Sequence, residues 1–600
     1  MRLNLFGEPV SDKGAILGCT GCPLNAMRGV NKVKGLERIT GRKAMMWAMA
    51  PGPDENRQKL ELVGTAGKLL WAAAKTFGLT RDSFDIQNVV RCLPIDKPGG
   101  HFRDPTQREL ECCSVYSEEA LALNKENAAV HLILGEVAGE QLLGDAYKKD
   151  NPVFWHKPWN AYVVCNAHPS FIARIGGKKA GGHYLTWRDR FRAVAAMMKY
   201  PGRWGFLKAQ KYKVVRTLKE FDGMEKVLRA EAAAGRRVSL DIEDDNSTGK
   251  RKLLMAGFGT GHYKNQKSAN SAWIGQCFSV VLDHPQSQYE RSHLFAMQAR
   301  MKKLIEDGSI EKSLQNGSYD GHAVRDMLGA TLRGYTYDTQ YGTFLRYSFL
   351  RSCSLENLTY RFFPEFADYK DVVEEWDGHF IDAPIDKLAL RNSGDCDITQ
   401  RLEQRFGHQV KQPLVEVYIR AGKTLDKMRD RGPTLDMPNW EKADQALPPM
   451  IQKLDKELRD LSGNPRFDCD SAPQVAKLIY DTLDAAETEA GRSTVKTVLE
   501  FIQATTKNPK VSKAIGLVNR RRALGKMSGT YVEGYKRSAE LNNGDLHTIW
   551  WLTGTITGRL RSGKGDRGDA QGIINFQNLA NNPLLQNLLC SDKNWRKALE

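Results

Sequence analysis

Val238-Ser-Leu-Asp-Ile-Glu243 is the stretch on which the fold turns. It reads as a buried strand, and the two-residue period of a strand sends Asp241 and Glu243 to the same face. Two carboxylates on an otherwise apolar strand cost several kcal/mol, of the order of ~3–5, if left without cations. Taken alone, such a pair is better read as a strand end with two solvated acids. Partners follow in order along the chain. Asn316-Gly-Ser-Tyr-Asp320 opens a helical stretch, with Asn316 and Asp320 one turn apart on one face. Arg391-Asn-Ser-Gly-Asp395-Cys-Asp-Ile-Thr399 repeats that relation with Asp395 and Thr399. Asp241, Glu243, Asp320 and Asp395 are therefore the expected ligands of two Mg²⁺ or Mn²⁺ ions, hard cations that take oxygen donors.

The whole composition sets the bounds around this stretch. Six hundred residues exceed what one core usually serves, so several domains are expected. With 41% apolar and 26% charged residues, a disordered or fibrous chain is excluded. A net charge of +17 points to a polyanionic partner, most simply nucleic acid. No apolar run approaches the ~18 residues of a membrane-spanning helix, and Met1-Arg-Leu-Asn-Leu-Phe-Gly lacks a signal-peptide core. A soluble, cytoplasmic protein with no membrane partner is expected. Eleven irregularly spaced cysteines suggest thiols or metal ligands, not a disulfide framework.

Residues 1 to about 200 alternate short apolar strands (45–52, 84–92, 129–144, 160–170) with helical stretches, the pattern of a parallel sheet covered by helices. A basic connector, 199–216, leads to the second α/β segment, which opens with the strand at 236–244. Helical periodicity dominates after 414. Cys19-Thr-Gly-Cys22 puts two sulfurs on one turn, and Cys92 and Cys113 are natural candidates for a four-thiolate site. A lone CxxC fits zinc, a redox pair or neither.

The surrounding motifs narrow this. Ala50-Pro-Gly-Pro-Asp-Glu-Asn-Arg57 with Gly64-Thr-Ala-Gly-Lys-Leu-Leu70, Asn88-Val-Val-Arg-Cys92-Leu-Pro94, Leu134-Gly135 and Ala167-His168-Pro169-Ser170 resemble the ordered motifs of family 4 uracil-DNA glycosylases. Pro105-Thr-Gln-Arg-Glu-Leu-Glu-Cys-Cys113 resembles that family's PTxxExxxC and selects Cys113 over Cys112. The resemblance implies a [4Fe-4S] cluster on Cys19, Cys22, Cys92 and Cys113, with zinc the lesser alternative. It also implies a flipped-base pocket built from Asn88, Leu62 and His168. Two positions depart from the family. Met49 replaces the acid before Ala-Pro-Gly, and Leu62 replaces the phenylalanine that stacks on the base. The expectation is a domain that binds DNA or positions another domain without normal uracil excision.

The acidic set resembles the DEDD 3′–5′ exonucleases: DxE, NxxxD and YNxxDxxxT, with Tyr337-Asp338-Thr339 matching the YDT element of DNA polymerase I relatives. The usual water-orienting tyrosine is Arg391 here, with Arg391 itself or His408 as its possible substitute.

From Leu414 the chain resembles the start of a family A DNA polymerase. Phe467-Asp-Cys-Asp-Ser471, Gly491-Arg-Ser-Thr494 and Arg520-Arg-Arg-Ala-Leu-Gly-Lys526 resemble thumb elements, and Thr555-Ile-Thr557-Gly-Arg559-Leu560 and Asn575-Phe-Gln577-Asn578-Leu579 resemble TxTGRL and NLQN. This resemblance implies DNA contacts by Arg520, Arg521, Lys526, Thr557, Arg559, Gln577 and Asn578. The family's catalytic DxSQIE, KxxxFG and HDE elements do not occur by Glu600, so the palm is expected to be completed by downstream residues or a second chain.

The expected fold is multidomain, α/β and α. A glycosylase-like α/β/α sandwich (1–205) precedes a ribonuclease H-like exonuclease (206–411), and a mainly helical thumb with the start of a palm (412–600) follows. The expected function is DNA replication by a proofreading polymerase of phage type. Its DNA partner is a primer-template with a single-stranded 3′ end. The alternatives are a repair enzyme combining glycosylase-like and exonuclease domains, or a non-catalytic DNA-binding subunit.

Overall fold

A computed structural model describes residues 2–3, 9–10, 17–33, 44–124, 127–147, 152–249, 251–265, 271–348, 350, 352–555, 557–563, 573–576 and 587–590. The chain divides into two compact units, Met1–Ile419 and Arg420–Glu600.

Among the described residues the first unit holds two large sheets and a two-stranded pair, Arg2–Leu3 with Pro9–Val10. Strands β1 (Ala44–Ala48), β2 (Phe84–Asn88), β3 (Val130–Leu134), β4 (Val153–His156) and β5 (Ala161–Asn166) form a sheet in the order β2-β1-β3-β5-β4. The first four in that order are mutually parallel, and β4 runs antiparallel along the edge. Ala44-Met-Met-Trp-Ala48 is apolar throughout and wholly buried, as a central parallel strand covered on both faces must be. The chain leaves β1 for β2 on one side and returns to β3 on the other. This reversal opens a crevice beyond the carboxyl ends of β1 and β3, where open α/β sheets bind ligands.

Helix α1 (Thr65–Lys75) follows a loop in which Leu62 takes a left-handed φ of 51°. Gly67 passes so close that a Cβ there would lie 2.0 Å from the Leu62 carbonyl oxygen. Helix α2 (Gln107–Asn124) begins with a reciprocal cap. The Thr106 N–H donates to Glu109 Oε2 (2.8 Å) and the Glu109 N–H donates to Thr106 Oγ1 (3.3 Å). The Thr-x-x-Glu of the Pro105–Cys113 stretch is thus a helix start, and it places Cys113 one turn further along the buried face.

The second sheet contains β6 (Tyr212–Val215), β7 (Val238–Asp245), β8 (Lys252–Tyr263), β9 (Trp273–Val281), β10 (Lys312–Leu314) and β11 (Tyr335–Asp338), in the order β11-β10-β7-β8-β9-β6. β7, β8 and β9 form an antiparallel meander, while β6, β10 and β11 join in parallel. The segment read as a connector at 199–216 therefore contains a strand, β6, paired with Cys277–Val280. As an edge strand it is mostly solvated, so its apolar period is weak.

Helix α3 (Gly317–Leu328) starts after Asn316 in a left-handed conformation, and helix α4 (Ile385–Phe406) crosses the sheet. Two glycines of β8 let α4 lie against the strand. A Cβ at Gly257 would meet Asn392 Oδ1 at 2.3 Å and Cys396 Sγ at 2.7 Å, and one at Gly259 would meet the Cys396 carbonyl oxygen at 3.0 Å. Gly257 pairs in register with Asp241.

The second unit is mainly helical, with helix α5 (Met437–Ser462) and helix α6 (Pro509–Lys526) among its longest elements. Trp440, Leu447, Leu454, Leu524, Tyr531 and Tyr535 share one of its cores. A short antiparallel pair, Ile549–Trp551 with Arg561–Gly563, carries the Thr555–Arg559 turn.

Gly257→Ala should overpack the α4 contact and destabilise the protein by about 1–3 kcal/mol, read as a lower urea midpoint at unchanged slope.

Candidate active site

The second sheet and two helices bring the acids together. One oxygen from each of Asp241, Glu243 and Asp395 lies within 4.8 Å of the other two. Asp241 and Glu243 share a face of β7, and Asp395 comes from α4, pressed onto β8 by the two glycines. Asp320, in the first turn of α3, stands outside that close trio. It is buried, it receives a hydrogen bond from the Ile242 backbone, and its charge bears on Asp241. Asp338, from the YDT element, has a different task. It receives the backbone N–H groups of Gln340 and Tyr341, the Gly317 N–H and the Tyr335 hydroxyl, and so ties α3 to β11.

Burial, reinforced by the charges of Asp395, Glu243 and Asp320, pushes the Asp241 carboxyl well above the usual carboxylate range. Burial pushes Glu243 up to about 7, against the opposing pull of Arg391. Glu243 Oε1 is buried without a hydrogen-bond partner, as is Arg391 Nε 3.2 Å away. A buried carboxylate oxygen with no donor, beside two more carboxylates, fits a hard divalent cation.

Asn392, within the third motif, and Tyr369 and Lys370, outside the motifs, complete the cluster. Asn392 Nδ2 donates to Asp241 Oδ2 (2.8 Å), and its own Oδ1 accepts from Ser279 Oγ (2.9 Å). The Tyr369 hydroxyl donates to Asp395 Oδ1 (2.5 Å), and Lys370 Nζ lies 3.6 Å from the same oxygen. Arg391, at the usual tyrosine position, also reaches Asp395 Oδ2 at 3.9 Å and stacks on the Phe380 ring. His408 is not at the cluster. It is exposed on a turn beyond the end of α4, lining a cleft of about 1080 Å³. Thirteen residues of helix and turn, roughly 20 Å at helical rise, separate it from Asp395.

The thiolate candidates also converge. The charges of Cys19, Cys22 and Cys113 all bear on Cys92, and burial pushes the Cys92 and Cys113 thiols up to about 12 and about 11. Cys19 Sγ accepts from Tyr116 Oη (3.0 Å) and Lys32 Nζ (3.3 Å). Cys112 also lies beside Cys22, and it donates to the Gly21 carbonyl (3.1 Å). Among the described residues, no three of the four sulfurs lie within 4.8 Å of one another. Thiolates around a single zinc, at Zn–S of about 2.3 Å, would lie roughly 3.8 Å apart. Four thiols so grouped are a donor set that either zinc or an iron–sulfur group could use.

At the crevice of the first sheet, Asn88 ends β2, Met49 follows β1, Gly135 follows β3, and His168 follows β5. His168 Nδ1 sits 2.7 Å from Ser170 Oγ and accepts the Ser170 N–H, and burial pushes it down to about 4, so the ring is neutral. Leu62 is buried, its carbonyl taking the Trp71 indole N–H (3.0 Å).

In the second unit, Arg520 and Lys526 are exposed on α6, whereas Arg521 is bound by Asp455 (2.7 Å). Thr557 and Arg559 are exposed on the hairpin turn. Gln577 and Asn578 lie outside the described residues. No helix among the described residues is long and apolar enough to cross a membrane.

Residues 39–192 match the uracil DNA glycosylase superfamily model, and residues 438–566 match DNA polymerase family A. The type-4 uracil-DNA glycosylase of Sulfurisphaera tokodaii is 36% identical over 110 residues, 18% of this chain and 47% of that protein. DNA polymerase I of Synechocystis is 24% identical over 368 residues, 58% of this chain and 35% of that protein. A solved structure, the POL domain of Pol1 from M. smegmatis in complex with DNA primer-template and dNTP, aligns over 59% of this chain and 54% of its own. Its identity is 18% and its TM-score 0.42. The chain spans 22–35% of the length of the bacterial DNA polymerase I relatives it matches. The chain carries a domain of the uracil-DNA glycosylase superfamily in its N-terminal part and a DNA polymerase family A segment in its C-terminal part.

Proposed function

We propose that residues 206–411 are a 3′–5′ exonuclease that edits primer ends for a family A DNA polymerase. The observation that carries this reading is the convergence of Asp241, Glu243 and Asp395, with a buried Glu243 oxygen left unpartnered. The similarity to the Synechocystis polymerase supports it, because 58% of this chain is more than the 412–600 segment holds. Asp241, Glu243 and Asp395 would hold one cation, and Asp241 with Asp320 a second. Bound there, Mg²⁺ or Mn²⁺ supplies an activated water and stabilises the leaving 3′ oxygen. The chain's own part is to fix the carboxylates. Asn392 orients Asp241, Tyr369 orients Asp395, and the Arg391 guanidinium beside Glu243 offers its charge to a phosphate.

Exposed Arg520, Lys526, Thr557 and Arg559, together with Gln577 and Asn578, are proposed to contact the primer-template. Nucleotidyl transfer is proposed for a family A polymerase of which residues 438–566 resemble a part. The N-terminal domain is proposed to carry a [4Fe-4S] cluster on Cys19, Cys22, Cys92 and Cys113. It would bind DNA without normal uracil excision, since Met49 can neither orient water nor stabilise a developing cation at the sugar. A second reading, an exonuclease fold that binds DNA without cutting it, draws on Arg391 lying 3.2 Å from Glu243 in place of a cation.

The Asp241→Ala, Glu243→Ala double variant should bind primer-template DNA as the parent does while 3′-end degradation falls at least ~100-fold. Degradation unchanged in a gel assay refutes the metal assignment, and none in the parent favours the second reading. Iron and acid-labile sulfide should each approach about four per chain and fall in Cys113→Ala, while Cys112→Ala retains them. Glu243 binds its proton more tightly folded than unfolded, so its contribution to stability is complete below about pH 4.5 and lost as pH rises through about 7. Without divalent ions, the melting temperature should therefore fall over this window more in the parent than in Glu243→Gln, and Mg²⁺ should erase the difference.

A further inference from the structure

Tyr369 and Lys370 belong to no regular strand or long helix, yet they deliver the hydroxyl and ammonium nearest Asp395. Tyr369 is 2% exposed, and its ring fits beside α4 because residue 394 is glycine. A Cβ there would stand 2.7 Å from Tyr369 Cδ2. The hydroxyl engages Asp395 Oδ1 only, which leaves Oδ2 turned toward the cluster.

What holds this segment comes from the other sheet. Asp368, immediately before Tyr369, has a left-handed φ of 56°. Its Oδ2 accepts the backbone N–H of Trp155 on the edge strand β4 at 2.5 Å, and its carbonyl accepts the Trp204 indole N–H at 2.8 Å. The Trp204 backbone N–H is in turn donated to Tyr162 Oη on β5 (2.8 Å). Arg203 spans Asp371 (3.3 Å) and Glu374 (3.1 Å) on the far side of Tyr369. The residue that touches Asp395 is thus gripped on both flanks by the glycosylase-like domain and the residues that leave it.

We propose that Tyr369 is a positioning residue for the metal ligand Asp395, and that the N-terminal domain sets it through the Trp155–Asp368 bond, making that domain a working part of the exonuclease metal site. This rests on the exonuclease reading for its purpose, but its geometry can be tested separately. A carboxylate ligand whose supporting hydrogen bond is removed typically loses about 10–100-fold in metal affinity.

The test is Mn²⁺ binding by the full chain, followed as loss of the free-ion EPR signal, with Asp395→Asn defining the portion due to this site. Tyr369→Phe keeps the ring and removes only the hydroxyl. Asp368→Gly removes the acceptor while keeping the left-handed backbone accessible. Both should weaken Mn²⁺ binding about 10-fold or more. Asp368→Asn retains an acceptor oxygen and suits a left-handed φ, so it should bind nearly as the parent does. Affinity within about twofold of the parent in Tyr369→Phe or Asp368→Gly overturns the proposal, as does a parent with no Asp395-dependent binding. A parent that shows the expected Mn²⁺ pattern yet leaves 3′ ends intact would refute the exonuclease reading and still support the clamp.

Discussion

The contact between α4 and β8 sets the rest of the site. Helix and strand meet over Gly257 and Gly259, where any side chain would collide with Asn392 or Cys396. Because Gly257 lies in register with Asp241, the strand beside the glycines is the one that carries the acids. The close approach brings Asn392 to Asp241 and Asp395 to Glu243. Helix–sheet packing at ordinary separation would leave the third carboxylate several ångströms short, and the cluster would dissolve into separate solvated acids.

Electrostatics then divides the molecule into two regimes. The chain as a whole is basic by 17 charges, suited to a phosphate backbone. Its second sheet nonetheless concentrates carboxylates where burial resists their ionisation. Such a pocket is costly in the absence of cations, and the protein supplies two of its own, Arg391 and Lys370, at the rim.

Much of this was legible in the sequence. The two-residue spacing of Asp241 and Glu243 placed them on one face, whereas Asn316 precedes α3 in a left-handed conformation and so shares no helical face with Asp320. The Thr-x-x-Glu before Cys113 proved to be a capping box, a local signal that needs no tertiary context. Tyr369 and Asp368 were not legible, because they sit at the start of a short 3-10 helix, Tyr369–Trp376, and their partners lie 26 and 213 residues away. Strands β4 and β6 escaped notice for a related reason: edge strands are half solvated, so apolar periodicity does not report them. Arg521 looked like one of several phosphate-binding cations until Asp455, 66 residues earlier, was seen to hold it. Identity of residue type announces chemistry, but availability depends on neighbours that only folding reveals.

The glycine groove under α4 has a bearing on how such a site could change over generations. The separation between helix and strand is written in backbone, at positions where substitution is punished sterically, whereas the residue at 391 contributes nothing to that separation. Position 391 can therefore change residue type without touching the glycines that set the helix–strand spacing. Reactivity can be retuned there one codon at a time, while the scaffold's spacing is inherited intact.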